Sequence, residues 1–185
     1  MERTFQPLTL STIVEMNRQT IQSSGGSFFE ADDNLEFPGA LEYVLGAIEG
    51  PIFGHDLYPT VIEKAATIGW TIMARHVFRD GNKRTGTLAC ATFLELNGYD
   101  MYIAPDPTLD TELIAMTEGV ADHQSINLAG WTRWIEQRTS IISNTPLEKI
   151  SASTTRTIEQ RPLAVLGIAF TGGLLIGWIV SRRIL

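Results

Sequence analysis

Eleven consecutive residues, His76-Val77-Phe78-Arg79-Asp80-Gly81-Asn82-Lys83-Arg84-Thr85-Gly86, place an imidazole, a carboxylate, a glycine and two adjacent cations within reach of one polyphosphate. Each residue type suits a task that phosphate chemistry sets. A histidine such as His76 can take a proton from an attacking hydroxyl near neutral pH. A single carboxylate, Asp80, is enough to hold a magnesium ion, because that small hard cation leaves its other positions to water and phosphate oxygens. Gly81 permits a positive φ or a close backbone approach. If the apolar periodic run after Asn82 is a helix, its first backbone N–H groups and its dipole favour an anion there. Lys83 and Arg84 add full positive charge to the same place. The competing reading of the run alone is a polar turn between two helices, with His76 an incidental cap and both cations solvated.

The run resembles, in order, the active-site loop of the Fic/Doc family, His-x-Phe-x-Asp/Glu-Gly/Ala-Asn-Gly/Lys-Arg. The stretches Asp56-Leu57-Tyr58-Pro59-Thr60-Val61-Ile62-Glu63-Lys64-Ala65-Ala66 before it and Phe93-Leu94-Glu95-Leu96-Asn97-Gly98-Tyr99 after it are similar to the Doc (death-on-curing) branch, and the likeness runs from about Leu8 to about Trp134. In AMP-transferring Fic enzymes a Gly usually follows the Asn, and a second Arg stands three positions after the first. Here those positions hold Lys83 and Thr87. The resemblance therefore implies a Doc-like kinase that moves the γ-phosphoryl group of ATP onto a Ser or Thr hydroxyl. His76 would be the base, Asp80 the magnesium ligand, and Gly81, Asn82, Lys83 and Arg84 the phosphate grip. Fic-type AMP transfer is the first alternative, and a catalytically idle binding module the second. The family also implies a toxin acting on a translation factor such as elongation factor Tu and silenced by a Phd-like antitoxin. Some Fic proteins carry an inhibitory helix of pattern Ser/Thr-x-x-x-Glu-Gly/Asn. Ser11-Thr12-Ile13-Val14-Glu15-Met16 departs from it at the last position, which favours inhibition in trans.

The elements that must position this loop read as helical, and the expected fold class is all-α, a Fic/Doc-type helical bundle. One helix spans about Leu8 to Ser23, with Ser11 or Thr12 near its first turn and Gly25-Gly26 as a stop. A second follows Pro38 and presents Ala40, Leu41, Val44, Leu45 and Ile48 on one face. A third starts at Pro59, a favourable first-turn residue, and delivers His76. The fourth runs from about Asn82 to Asn97, turning Leu88, Ala91, Phe93 and Leu94 inward, and stops at Gly98. Two more cover 109–121 and 126–137. Phe78, apolar between polar neighbours, is expected to pin the loop into the core. The segment from Gly25 to Gly39, with Phe28, Phe29 and Phe37 among four acids, is either the target-docking flap region of the family or a plain surface loop. Glu63 and Glu95 fall at spacings of solvated faces, and His55 and His123 read as structural or surface residues.

The chain of 185 residues carries 14 Lys and Arg against 21 Asp and Glu, a net charge of −7. Two of the Arg are Arg182 and Arg183 and no acid lies beyond residue 161, so residues 1–161 hold 12 basic and 21 acidic groups, net −9. That surface repels nucleic acid, which is excluded as a partner. The lone Cys90 cannot form an internal disulfide and sits in an apolar helical pattern, as a buried thiol in a reducing compartment would. No Cys/His spacing for a metal occurs.

The 19 residues from Pro162 to Val180 carry no charge and are bounded by Arg161 and by Arg182-Arg183. As a helix they would extend ~28 Å, close to the hydrocarbon thickness of a bilayer. The expected organisation is a catalytic domain at 1–139, a polar Ser/Thr-rich linker at 140–161, a transmembrane helix at 162–181 and a short tail at 182–185. Lys149, Arg156 and Arg161 on one side against Arg182 and Arg183 on the other orient the domain toward the cytoplasm, at the membrane face where ATP is available. Gly173 and Gly177 form a small-xxx-small pair through which two copies could associate as a homodimer.

Overall fold

The computed structural model describes residues 5–103, 110–122 and 125–142. Six helices form the body: α1 (Leu10–Ser24), α2 (Pro38–Glu49), α3 (Val61–Ala74), α4 (Asn82–Leu96), α5 (Thr111–Ala121) and α6 (Leu128–Arg138). The expected helical bundle is therefore present, with one departure from all-α. Strands β1 (Tyr99–Met101) and β2 (Thr139–Ile141) pair antiparallel, Tyr99 opposite Ile141 and Met101 opposite Thr139. The strand β2 runs across the expected junction at 139/140, because the chain leaving α6 meets the chain leaving α4 and satisfies its backbone groups there. The expected membrane segment at 162–181, the expected tail at 182–185 and nearly all of the expected linker lie outside the described residues. Among the described residues no helix is long and apolar enough to cross a membrane.

The helix α3 is the hub. It packs most extensively on α4 and also against α2, α5 and α6, while α1 lies on α4. Ala65, Ala66, Ile68, Ile72 and Met73 of α3 are fully buried, as are Ala89, Cys90, Phe93 and Leu94 of α4 and Trp131 and Ile135 of α6. The α3/α4 approach depends on two glycines. A Cβ at Gly69 would stand 2.7 Å from the carbonyl oxygen of Gly86, and one at Gly86 would stand 2.7 Å from that of Gly69. Complete burial pushes the Cys90 thiol far up, so it stays protonated and unreactive in the folded state.

The helix starts are set by side-chain caps. Thr9, Thr60, Asp110 and Asn127 accept the first-turn N–H groups of α1, α3, α5 and α6. At α3 the start, Val61, is two residues later than the Pro59 start expected. Thr60 accepts from the Glu63 N–H while the Glu63 carboxylate accepts from the Thr60 N–H, a capping box that leaves Pro59 outside the helix. Glu63 thus has a structural task where a solvated face was expected. Buried Lys64, one residue on, donates to the Ile48 carbonyl at the end of α2 and sits over the Phe5 ring.

Candidate active site

The loop from Arg75 to Gly81 joins α3 to α4, and its ends are held by different chemistry. Val77 and Phe78 are buried, at 0% and 1% exposure, and act as the anchor expected of Phe78. His76 between them and α3 is exposed and adopts φ +47°, a left-handed conformation that a residue with a Cβ rarely takes. Its Nε2 lies 3.0 Å from the Ala121 carbonyl at the end of α5. A carbonyl only accepts, so Nε2 carries the proton and Nδ1 is left as the basic nitrogen of the neutral ring.

Asp80 stands at the opposite lip. Its Oδ1 accepts from the Gly81 N–H at 2.6 Å and its Oδ2 from the Ser27 N–H at 3.2 Å. Each carboxylate oxygen retains a further lone pair, so one hard cation shared with phosphate oxygens fits this group. Arg84 reaches the same region: its Nη2 is 3.6 Å from Asp80 Oδ1, and its Nη1 donates to the Gly25 carbonyl at 3.0 Å. Lys83 projects the other way and pairs with Asp122, Nζ to Oδ2, at 2.7 Å. Gly81 caps α4 with φ +82°, and a Cβ there would fall 2.9 Å from Asn17 Nδ2. The first turn of α4 has no side-chain cap, unlike those of α1, α3, α5 and α6, and it carries no acidic residue. Its amino end, flanked by Lys83 and Arg84, is electropositive and chemically open to an anion.

Asn82 does something else. It is buried, its Oδ1 accepts from the Phe78 N–H at 2.8 Å and its Nδ2 donates to the Phe78 carbonyl at 2.6 Å. The side chain closes the loop on itself. In this structure the side chain holds the shape of the loop. Thr87, where the AMP-transferring pattern has a second Arg, is also buried and donates to the Lys83 carbonyl, so it offers nothing to the site.

Beneath the loop lies a polar network that sequence reading did not single out. Asn17 Nδ2 donates to the Asp80 carbonyl and to Thr85 Oγ1, both at 2.9 Å, and Asn34 Nδ2 donates to Asn17 Oδ1 at 2.9 Å. Asn17, Asn34, Thr20 and Thr85 are all fully buried. Their spacing along the chain carries no motif, and only the fold brings them together. The segment between α1 and α2, with a 3-10 turn at Glu30–Asp32, runs along the loop as its outer wall. Glu36 and Phe37 N–H groups donate to the Val77 carbonyl, and Arg79 N–H donates to the Asn34 carbonyl. Arg79 then clamps the segment through Asp32 at 2.5 Å and Glu36 at 2.6 Å. Glu15, the nearest approach to an inhibitory glutamate, engages Gln19 and Arg18 rather than Arg84.

A helical hub, a loop with His76 on one lip and Asp80 on the other, and a helix start without a side-chain cap next to Lys83 and Arg84 bring the residues of the eleven-residue run around one turn. Residues 7–94 match the model of the Fic/DOC family, and over this segment the chain is similar to that family. Over 86 residues the chain is 29% identical to Toxin Doc of Mycolicibacterium smegmatis, a stretch that covers 46% of this chain and 66% of that protein. The likeness to a protein of that name agrees with the Doc-like reading of Lys83 and Thr87.

Proposed function

We propose that this protein is a Doc-like protein kinase that transfers the γ-phosphoryl group of ATP to a Ser or Thr hydroxyl of another protein. The observation that carries the reading is the cation set of the loop: Lys83 and Arg84 on the open first turn of α4, with buried Thr87 where a second arginine would serve AMP transfer. Nδ1 of His76 takes the proton of the acceptor hydroxyl as its oxygen bonds to phosphorus. The bond from that phosphorus to the β-phosphate bridging oxygen breaks, and ADP leaves. Transfer of this kind depends on positioning and charge neutralisation more than on covalent chemistry, which suits a site built of cations and backbone N–H groups. Magnesium, when bound, would be held by Asp80 and would neutralise charge on the phosphates. Gly81 allows the loop to turn close over Asn17, and Asn82 keeps it shut.

The target is a cytoplasmic protein, with a translation factor such as elongation factor Tu the leading candidate, and a Phd-like antitoxin is the expected inhibitor. The placement of Glu15 away from Arg84 supports inhibition from outside the chain. The uncharged run within 162–181 is proposed as an anchor that holds the domain at the cytoplasmic face of the membrane.

The test is to incubate the protein with cell lysate and ATP labelled in either the α or the γ position. γ-Label on one protein band, absent with His76→Ala, is the expected result. α-Label on the target would establish AMP transfer instead, and equal toxicity of wild type and His76→Ala with no label would leave a binding module.

A further inference from the structure

We propose that Asp122 is a resident competitor for the phosphate-binding cation: its carboxylate occupies Lys83 in the empty site and must give Lys83 up when the triphosphate of ATP binds. This inference rests on the nucleotide reading of the loop and adds a determinant of its affinity. Lys83 belongs to the first turn of α4, where the helix field favours an anion and no side chain caps the N–H groups. Asp122 reaches that cation from another element, 39 residues away, at 2.7 Å.

The position of Asp122 is not explained by its own helix. It is the C-cap of α5, its N–H donating to the Glu118 carbonyl, and an acid at a helix carboxyl end opposes the local dipole. The cation it pairs with there is Lys83. The preceding residue, Ala121, holds His76 through its carbonyl, so the end of α5 touches both the base and a phosphate-binding cation. The His76 contact is made by backbone fixed within α5. The Lys83 contact is made by two half-exposed side chains, and such a pair is weak enough to be exchanged for a ligand of higher charge. The carboxylate therefore shields Lys83 between turnovers and lowers the affinity for nucleotide.

The experiment is direct binding of Mg·ATP to the full chain by calorimetry, with Asp122→Asn, Lys83→Met and the double variant. Asp122→Asn should tighten binding about three- to fivefold at low ionic strength, the scale of a half-exposed ion pair, and less at high salt. In the Lys83→Met background the same change should have little effect, because no cation remains to be released. Unchanged or weaker binding by Asp122→Asn would overturn the proposal, as would an equal tightening in both backgrounds, which would mean general repulsion rather than competition for Lys83. If the wild type binds no ATP, the kinase reading itself fails and the competitor role falls with it. Normal ATP binding with no gain in Asp122→Asn removes the competitor role alone.

Discussion

At the scale of single residues, the loop divides its work between groups that face outward and groups that hold them. His76 and Lys83 can reach a ligand, and both are steadied by the end of α5. Asn82 faces inward and fastens Phe78 from both sides of its peptide unit. Replacing Asn82 by Ala strands a buried N–H and a buried carbonyl, and an unsatisfied buried group costs about 1–3 kcal/mol. The expected outcome is a lower denaturation midpoint, read by urea titration, together with loss of transfer, since the lip bearing His76 loses its fixed end. The left-handed His76 is part of the same arrangement. Its strained backbone persists because Val77 and Phe78 are locked into the core and onto Asn82.

At the scale of elements, the site is the meeting of two helices whose separation is set by backbone contact. Gly86→Ala would drive a methyl group against the Gly69 carbonyl and Met73, and overpacking of this kind costs about 1–3 kcal/mol. Thermal unfolding should register the loss, and Gly86→Ser should be at least as damaging. The start of α3 makes a smaller, separable contribution. Thr60→Ala removes the side-chain half of a capping box, with an expected cost of about 1 kcal/mol by denaturant unfolding. The segment between α1 and α2 is tied to the loop by the Arg79 clamp and by backbone bonds to Val77.

At the scale of the whole molecule, an acidic sequence is followed by a polar stretch and then by an uncharged run flanked by arginines. The proposed anchor has a direct consequence. The full chain should sediment with membranes and resist extraction by high salt, whereas a chain ending at residue 161 should remain in the supernatant after cell lysis. Extraction of the full chain by salt alone would mean that the run from Pro162 to Val180 does not insert. A membrane location would restrict the proposed kinase to targets that visit that surface.

The helices were legible in the chain because their information is local: apolar residues at helical spacing, Pro38 and Gly98 as punctuation, and Phe78 as an apolar anchor in a polar run. The Thr60-Val61-Ile62-Glu63 cap was equally readable from its Thr-x-x-Glu spacing, although Pro59 was the expected start. The candidate loop was legible for the same reason, since one turn gathers its chemical groups within eleven residues. What only the tertiary structure decided is what lies around that turn. Asn17, Asn34 and Thr85 meet under Asp80, Ala121 chooses the basic nitrogen of His76, and Asp122 occupies Lys83. These partners stand far apart in the chain, and hydrogen-bond pairing between distant segments leaves no periodicity for a sequence to display. Asn82 was readable as a member of the loop, but its inward turn toward Phe78 depended on the burial that packing of α3 against α4 created.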